Sequence, residues 1–388
     1  MERTLTIGFP YVADRFGGST ASSLVLAGAL RDAGHRIHIL THGQFGRVAD
    51  EACGMGLSVT RLPPLADVPG YSRPDRFRLE QLLAFRTSRA AIRMLHLDIV
   101  HTNDITTLRS WMAPSLATST ALVAHWRSNF QESWSVRTAL HIARAVIAVS
   151  QYSFAKLPAW VREKTTVEYN SFDLEYSPAL KQAARQEIRA QFGLPPDAVL
   201  IGVFANHLQR KRTHVLADLL SRIGHTANGR PVFGLACGGR AEPYDDLLDK
   251  KITEFGLEQR LIRPGFVRPV ERWMGACDAV LAPAINEPLA RNVLEAQALG
   301  VPVVASTDGG LKELIRHGEN GLLCDPYDLA AWEIATRRLL DEGPFAQALA
   351  EQGRQDVVVL SPARHAERVA AIYRGLFDHA PRHRTEAA

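Results

Sequence analysis

Short runs of apolar residues alternate along this chain with longer stretches in which apolar residues recur at helical spacing. The first half holds seven short runs: LTIGFPYV, RIHILTH, SVTRL, DIVHTND, ALVAHW, AVIAVS and TTVEYN. In the stretch after the first run, Leu24, Leu26, Ala27 and Leu30 form one apolar stripe that ends before Gly34, which predicts an amphipathic helix. Continuously apolar strands that alternate with helices predict a parallel sheet covered on both faces.

The pattern stops once and then restarts. The charged segment NSFDLEYSPALKQAARQEIRAQFGLPPDA contains three prolines and no strand pattern, so we interpret it as an inter-domain connection that leads into a helix. Six further apolar runs follow: VLIGVFA, PVFGLACGG, RLIRPG, AVLAPA, VPVVAS and GLLCD. We therefore predict an α/β fold of two doubly wound, Rossmann-like domains.

The predicted domains are residues 1–178 and residues 179–360. Residues 361–388 are predicted to form a C-terminal helix that packs back on the first domain, followed by a disordered tail. Ligands of doubly wound sheets bind at the carboxyl ends of the strands. Two such domains facing each other therefore predict a shared site in a cleft.

Composition and charge exclude several classes of protein. The chain has 388 residues, 46% of them hydrophobic, with a net charge of +4 and a pI of about 8.9. Such a mildly basic balance suits an anionic ligand or membrane surface but is too weak to indicate nucleic acid. The four cysteines are scattered, which is typical of reduced thiols in the cytoplasm. Neither a signal-peptide pattern nor an apolar run of about 18 residues is present.

One segment carries a local excess of positive charge. Arg73–Leu95 contains six arginines against two acidic residues. The segment could be an amphipathic helix that contacts anionic lipid at the inner face of the membrane. It could equally hold a charged acceptor, or form a solvated basic face.

Two glutamates, eight residues apart, follow the strand AVLAPA. Glu287 lies at the corner between this strand and a predicted helix, and Glu295 lies about two turns further on. The first amides of that helix suit a phosphate, so the two carboxylates could accept hydrogen bonds from sugar hydroxyls and a ribose. Alternatively, Glu287 stabilises the helix N-terminus and Glu295 is solvated.

Polar residues follow other strands as well. FGGS supplies Gly17 and Gly18 after the first strand, and the chain contains neither of the glycine motifs of dinucleotide-binding proteins and P-loop NTPases. The loop NHLQRKRTH is basic, and His125 ends a strand; alone, such a histidine is more often a core residue bonded to the backbone. The histidines do not have the spacing of metal ligands, so we predict no metal and no cofactor.

Several of these motifs together resemble the retaining glycosyltransferase family 4, which has the GT-B fold. The resemblance is specific between Leu261 and Pro326, in PG, ACDAVLAP, the E-x7-E pair, LEAQALGVPVVAS, DGGLKELI and GENGLLCDP. Weaker matches, FGGS, DIVHTND, LVAHW, VIAVSQYS, VEYNSFD and LACGG, occur in the expected order over most of the chain.

The resemblance implies roles for residues around the glutamate pair. Glu287 would contact hydroxyls of the donor sugar, and Glu295 would bind the ribose of the nucleotide. The helix start at Leu289, Ala290 and Arg291 would offer amides to the diphosphate. The chain has alanine at position 290, where the family commonly has glycine.

The resemblance also implies roles elsewhere in the site. Lys211 matches a lysine that binds the diphosphate, and Arg210 or Arg212 would replace a family arginine whose position holds Asn206 or His207.

His125 would lie near the donor sugar, and Gly17, Gly18 and Phe266 would help to bind the donor. The catalytic set implied is His125 with Lys211 and Glu287.

The function implied is transfer of a sugar from a nucleotide-diphospho-sugar to an acceptor, with retention of configuration. The acceptor, the base, the sugar and the oligomeric state are not specified by the sequence. Two rivals stay open: a nucleotide-sugar 2-epimerase of the same fold, and a non-catalytic two-domain sugar-binding protein.

Overall fold

A computed structural model describes residues 3–12, 16–43, 46–65, 77–129, 133–173, 177–226, 228–240 and 242–378, with the side chains of 77–81 left out. The chain divides into two compact units. The first unit comprises Met1–Phe172 and Leu360–Ala388, and the second comprises Asp173–Val359.

The first unit is built on a seven-stranded parallel sheet with the order β3-β2-β1-β4-β5-β6-β7. Its strands are β1 (Thr6–Val12), β2 (Arg36–His42), β3 (Ser58–Leu62), β4 (Ile99–Thr102), β5 (Ala121–Trp126), β6 (Ala145–Ala148) and β7 (Thr165–Val167). Its helices are α1 (Gly18–Asp32), α2 (Arg47–Gly54), α3 (Phe77–Met94), α4 (Ile105–Leu116), α5 (Trp134–Ile142), α6 (Gln151–Ala155), α7 (Ala159–Arg162) and, from the end of the chain, α16 (Pro362–Asp378). Each predicted strand run of the first half is confirmed.

Local sequence explains where several of these helices begin and end. The side chains of Asp104, Ser133 and Ser150 each accept a hydrogen bond from an amide in the first turn of α4, α5 and α6. Gly34 follows α1 with a φ of +90°, a conformation that favours glycine. The apolar stripe predicted on α1 is buried, from Leu24 to Leu30.

Both faces of the first sheet are covered by helices. On one face Ile7 and Phe9 of β1 pack with α1 and with Val369 and Tyr373 of α16. On the other face the strand residues pack with α4 and α5 around Trp111. The C-terminal helix α16 therefore belongs to the core of the first unit.

The second unit is built on a six-stranded parallel sheet with the order β10-β9-β8-β11-β12-β13. Its strands are β8 (Val199–Phe204), β9 (Val232–Cys237), β10 (Leu261–Gly265), β11 (Ala279–Ala282), β12 (Val303–Ser306) and β13 (Leu322–Cys324). Its helices are α8 (Pro178–Gln191), α9 (His214–Arg222), α10 (Tyr244–Glu254), α11 (Val270–Gly275), α12 (Arg291–Ala298), α13 (Leu311–Leu314), α14 (Leu329–Asp341) and α15 (Gly343–Val357). Short 3₁₀ helices occupy Gln209–Lys211 and Val358–Leu360.

The central strand of the second sheet shows why the sequence patterns are continuous. Val199, Ile201 and Val203 of β8 face one apolar cluster, whereas Leu200 and Phe204 face the other. Because side chains alternate between the faces of a strand, a strand covered on both faces must be apolar throughout.

The two predicted domain boundaries, 178/179 and 360/361, lie close to the limits of the compact units. The predicted helix after the connection is α8, which begins with Ser177 as its N-cap and Pro178 in its first turn. The predicted disorder after residue 380 lies outside the described residues.

The basic segment Arg73–Leu95 is described only in part. Residues 66–76 and the side chains of 77–81 lie outside the description, and α3 covers the rest. Leu82, Leu83 and Met94 are exposed on this helix. The three alternatives for the segment therefore stay predictions.

Candidate active site

The second sheet reverses its winding between β8 and β11. In doubly wound sheets ligands bind where the strand order reverses, at the carboxyl ends of the strands. The loop after β8 carries Arg210 and Lys211 on the 3₁₀ helix, and the loop after β11 carries Glu287. The Ile285 amide donates to the Arg210 carbonyl at 2.8 Å, so the two loops are joined by their backbones.

Glu287 is paired with two cations. One of its oxygens, Oε2, accepts a hydrogen bond from Arg210 Nη1 and lies 2.7 Å from Lys211 Nζ. The carboxylate is only 9% exposed, whereas the Arg210 side chain is 41% exposed. Two positive groups around one carboxylate leave a local charge of +1, which suits an incoming anion.

Two glycines hold the backbone of Glu287. The Gly310 amide donates to the Glu287 carbonyl at 2.8 Å. A Cβ atom at Gly309 would lie 2.5 Å from that carbonyl oxygen, and one at Gly310 would lie 2.3 Å from the Pro288 oxygen. Gly309 also has a φ of +68°. The motif DGG matched the family in the sequence, but its supporting role depends on this contact between two loops.

Gly310→Ala is expected to destabilise the second unit by about 1–3 kcal/mol, because the methyl group must push the Pro288 carbonyl away. The displacement moves Glu287, so activity should fall even in the folded fraction. Gly343→Ala is the matched control, because a Cβ there meets none of the described atoms within 4 Å. Chemical denaturation of both variants measures the difference, and equal stabilities would contradict the role of Gly310.

The second glutamate lies on α12. Glu295 is 8% exposed, and its Oε1 accepts a hydrogen bond of 2.5 Å from Arg291 Nε. The alternative that Glu295 is a solvated helix residue is therefore wrong. The helix begins at Arg291, two residues later than the predicted helix pattern, and Ala290 is its N-cap without a side-chain bond. The Ala290 methyl group packs in the apolar cluster of this face.

The other predicted donor-binding residues of this unit differ in their surroundings. Arg212 Nη2 donates to the Pro326 carbonyl at 2.7 Å, and its guanidinium lies 4.7 Å from the centre of the Tyr327 ring. Arg212 thus binds the loop after β13, whereas Arg210 faces Glu287. Phe266 follows β10 and is 43% exposed.

In the first unit, Gly17 and Gly18 follow β1 at the start of α1. Gly17 has an extended backbone that any residue adopts, and a Cβ there would meet no described atom within 4 Å. Neither conformation nor packing against the described residues accounts for glycine at position 17.

His125 on β5 is 2% exposed and lies among other polar side chains. Its Nδ1 lies 3.1 Å from His101 Nε2 and 3.0 Å from Arg127 Nη2. His125 is thus a buried histidine whose Nδ1 is bonded to side chains and not to the backbone, and its role near the donor sugar stays a prediction. Asp104, two residues beyond the end of β4, caps α4.

Four buried histidines of the first unit are held in the neutral form. Burial lowers the pKa of His42 to about 4 and that of His365 to about 3. Burial, followed by the charge of Arg127, lowers the pKa of His101 and His125 well below the usual value.

These depressed pKa values predict loss of stability in mild acid. Below the unfolded value of about 6.5 the unfolded chain binds protons that the folded unit does not, so stability present above pH 6.5 falls as the pH drops towards the folded pKa values. Each such histidine contributes a slope of about 1.4 kcal/mol per pH unit. Urea unfolding between pH 6.5 and 5 measures how the free energy of unfolding changes with pH. His365→Gln should reduce that slope by the contribution of one histidine, about 1.4 kcal/mol per pH unit. An unchanged slope would show that His365 is not neutral in the folded state.

Among the described residues, no group of three or more histidine, cysteine or acidic side chains is arranged to hold a metal ion. The absence of a metal requirement stays a prediction. Within the same residues, no helix is long and apolar enough to cross a membrane.

Two family models match the chain. The model described as Glycosyltransferase Family 4 matches residues 16–176, and the model described as Glycosyl transferases group 1 matches residues 184–356. The matches cover the first and second units in turn. The chain therefore belongs to the family 4-type glycosyltransferases.

Individual relatives agree with this assignment. The chain is 33% identical over 214 residues to the D-inositol 3-phosphate glycosyltransferase of Corynebacterium urealyticum, which corresponds to 53% of this chain and 49% of that protein. It is 28% identical over 170 residues to LpsE of Rhizobium meliloti, a lipopolysaccharide core biosynthesis glycosyltransferase, or 44% of this chain and 48% of that one. The chain spans about half the length of the curated relatives that it matches.

A solved structure shows the same fold. HepE of Anabaena, crystallised with UDP and glucose, is 23% identical and superposes with a TM-score of 0.80 over 95% of this chain and 99% of that one. The prediction of the GT-B fold is confirmed by this match and by the two parallel sheets.

Proposed function

We propose that this protein transfers a sugar from a nucleotide-diphospho-sugar to an acceptor hydroxyl, with retention of anomeric configuration. The observation that carries the proposal is the pairing of Arg210 and Lys211 with Glu287 where the second sheet reverses its winding. That arrangement supplies two cations for a diphosphate and a carboxylate for sugar hydroxyls within one cluster. Family membership supports the same chemistry.

The proposed binding exchanges partners within the site. The diphosphate takes Lys211 and Arg210 from Glu287, whose carboxylate then accepts hydrogen bonds from the sugar. The ribose engages Glu295 and displaces Arg291 from it. The amides at the start of α12 face the diphosphate, because the Ala290 side chain offers them no cap. In the first unit, no described atom lies within 4 Å of a Cβ placed at Gly17, which suits a ligand group there.

In the proposed reaction the bond between the anomeric carbon and the phosphate oxygen breaks, and its electron pair stays on the diphosphate. The acceptor oxygen bonds to the anomeric carbon on the same face, and its proton passes to an oxygen of the leaving phosphate. Lys211 and Arg210 stabilise the charge that develops on the diphosphate. Neither step consumes an oxidant or a cofactor.

The choice of donors and acceptors to test follows from the relatives. Structures of HepE contain UDP and UDP-glucose, so UDP-sugars are the first donors to test. The name of the Corynebacterium relative makes inositol phosphate an acceptor for the same panel. We place the protein in the cytoplasm, where its four free cysteines stay reduced, with the exposed side of α3 as the part that would approach a membrane.

Arg210→Ala is expected to weaken binding of the nucleoside diphosphate about tenfold or more, because a charge-assisted hydrogen bond contributes roughly 1.5–3 kcal/mol. Arg212→Ala is the matched control, since its guanidinium binds Pro326 and Tyr327 instead. Calorimetric titration of both variants measures the affinities. A larger loss in Arg212→Ala would assign the diphosphate to the other arginine.

The proposal is tested by incubating the full chain with UDP-, GDP- and ADP-sugars and the acceptor panel. Release of the nucleoside diphosphate and the anomeric configuration of the product are followed by NMR. We expect transfer from one donor class with retention. Inversion, or formation of an epimerised sugar without transfer, would contradict the proposal.

A further inference from the structure

A chain of buried hydrogen bonds links α16 to the strand that carries His125. The Tyr373 hydroxyl lies 2.6 Å from His101 Nδ1, and His101 Nε2 lies 3.1 Å from His125 Nδ1. Tyr373 and His101 have no exposed surface. Since both side chains are enclosed, the direction of each hydrogen bond in this series is set by the groups at its two ends.

Arg127 sets the direction at one end. Its Nη2 lies 3.0 Å from His125 Nδ1, and a guanidinium can only donate. His125 Nδ1 therefore accepts, and the neutral ring carries its proton on Nε2. Arg127 is itself fixed, because it also donates to the side-chain oxygens of Asn103 and Asn170.

The proton positions on His101 and Tyr373 follow from that on His125. Because His125 Nδ1 carries no proton, His101 Nε2 must be the donor between the two rings. His101 Nδ1 is then unprotonated and accepts from the hydroxyl of Tyr373. Burial lowers the pKa of both histidines and raises that of Tyr373, so all three groups stay neutral around pH 7.

This series of hydrogen bonds ends on a donor that has no partner among the described residues. His125 Nε2 is buried and makes no hydrogen bond to the described residues. Buried polar atoms are nearly always bonded, so such an atom marks a position that a ligand can fill. A second unpartnered ring nitrogen, His365 Nε2, belongs to the neighbouring ring, whose centre is 6.1 Å from that of His125.

We propose that Tyr373 and His101 are positioning residues that hold His125 as a hydrogen-bond donor towards an oxygen of the bound substrate. The inference rests on the proposed function and on the place near the donor sugar that the family resemblance implies for His125. In this arrangement His125 cannot act as a base through Nε2, because that atom already carries the proton. The C-terminal helix α16 thereby supports the orientation of a ring on β5 within the first unit.

The experiment uses the full chain with ¹⁵N-labelled histidine, whose ring nitrogen shifts report the tautomer. In the wild type at pH 7.5 we expect His101 and His125 to carry their protons on Nε2. Tyr373→Phe removes the donor to His101 Nδ1, so the His101 Nδ1 signal should shift as that nitrogen loses its hydrogen bond, while the proton stays on Nε2 because His125 Nδ1 still accepts it. Tyr244→Phe is the matched control, because it breaks a tyrosine–histidine hydrogen bond of 2.7 Å to His214 in the second unit.

Kinetics supply a second readout. Tyr373→Phe should lower kcat about two- to tenfold, as expected for one neutral hydrogen bond, while nucleotide affinity stays unchanged. His101→Gln keeps an amide donor near the position of Nε2 and should retain more kcat than His101→Leu. If Tyr373→Phe does not fold, the inference is tested by the tautomers of the wild type and by the kcat values of the two His101 variants.

A proton on His125 Nδ1 would overturn the inference, as would equal kcat in His101→Gln and His101→Leu. The same holds if the His101 signals stay in place in Tyr373→Phe. The tautomers are measured without turnover, so failure of the proposed function, with no sugar transferred, is distinguishable from failure of the inference.

Discussion

Glu287→Gln is expected to lose about a hundredfold in turnover while binding the nucleoside diphosphate as tightly as the wild type or more tightly. In the structure this carboxylate pairs with Arg210 and Lys211, so it competes with the diphosphate for both cations. Glutamine releases them. The sugar, however, loses a charge-assisted hydrogen bond that is worth roughly 1.5–3 kcal/mol in the transition state.

Calorimetry for affinity and donor turnover for kcat separate these effects. Glu319→Gln is the control, because it removes a glutamate from an exposed ion pair with Arg316 in the same unit. If Glu287 only stabilised the start of α12, the variant would melt earlier and keep full turnover once folded. That result would remove Glu287 from the catalytic set.

Glu295→Gln should show the opposite pattern. Its proposed partner is the ribose, which is present in both donor and product, so binding of the bare nucleoside diphosphate should weaken about ten- to a hundredfold. At saturating donor, turnover should change much less, because the contact is the same in ground state and transition state.

The ion pair between Arg291 and Glu295 could confound this measurement, and the chain offers a matched control. Glu333 forms a similar i,i+4 pair with Arg337 on α14, at 3.1 Å. Glu333→Gln should leave nucleotide affinity unchanged. Equal affinity losses in Glu287→Gln and Glu295→Gln would contradict the division of labour between the two carboxylates.

The sequence was sufficient to predict the strands and helices because their patterns are local. β8 and β11 are apolar throughout, as strands covered on both faces must be, and α8 carries its serine cap and proline in the expected order. The pair Glu287 and Glu295 could also be predicted from a local pattern, because both residues lie on one strand-loop-helix segment.

Contacts between segments that are distant in the sequence could not be predicted from such local patterns. The pairing of Arg210 with Glu287 joins residues 77 positions apart and exists because β8 and β11 are neighbours in the sheet. The contact of Arg212 with the loop after β13 depends on a left-handed backbone at Arg212, with a φ of 52°, and on the position of Pro326. The periodicity of apolar residues predicts neither the pairing of Arg210 with Glu287 nor the contact of Arg212 with Pro326.

The contact between Tyr373 and His101 is the extreme case, since 272 positions separate the two residues. It requires that the chain complete the second unit and then return α16 to the first. The sequence pattern predicted that return, but which residue of α16 would meet which strand depends on how Val369 and Tyr373 pack against α1 and the sheet.

The most direct test of the central claim is calorimetric titration of UDP, GDP and ADP into the full chain, with the wild type and Glu295→Gln side by side. The claim is that the second unit binds the nucleotide of a sugar donor beside Glu295. It predicts that one of the three binds the wild type at one site per chain and binds Glu295→Gln ten- to a hundredfold more weakly. Absence of binding to the wild type, or the same affinity in both proteins, would contradict it.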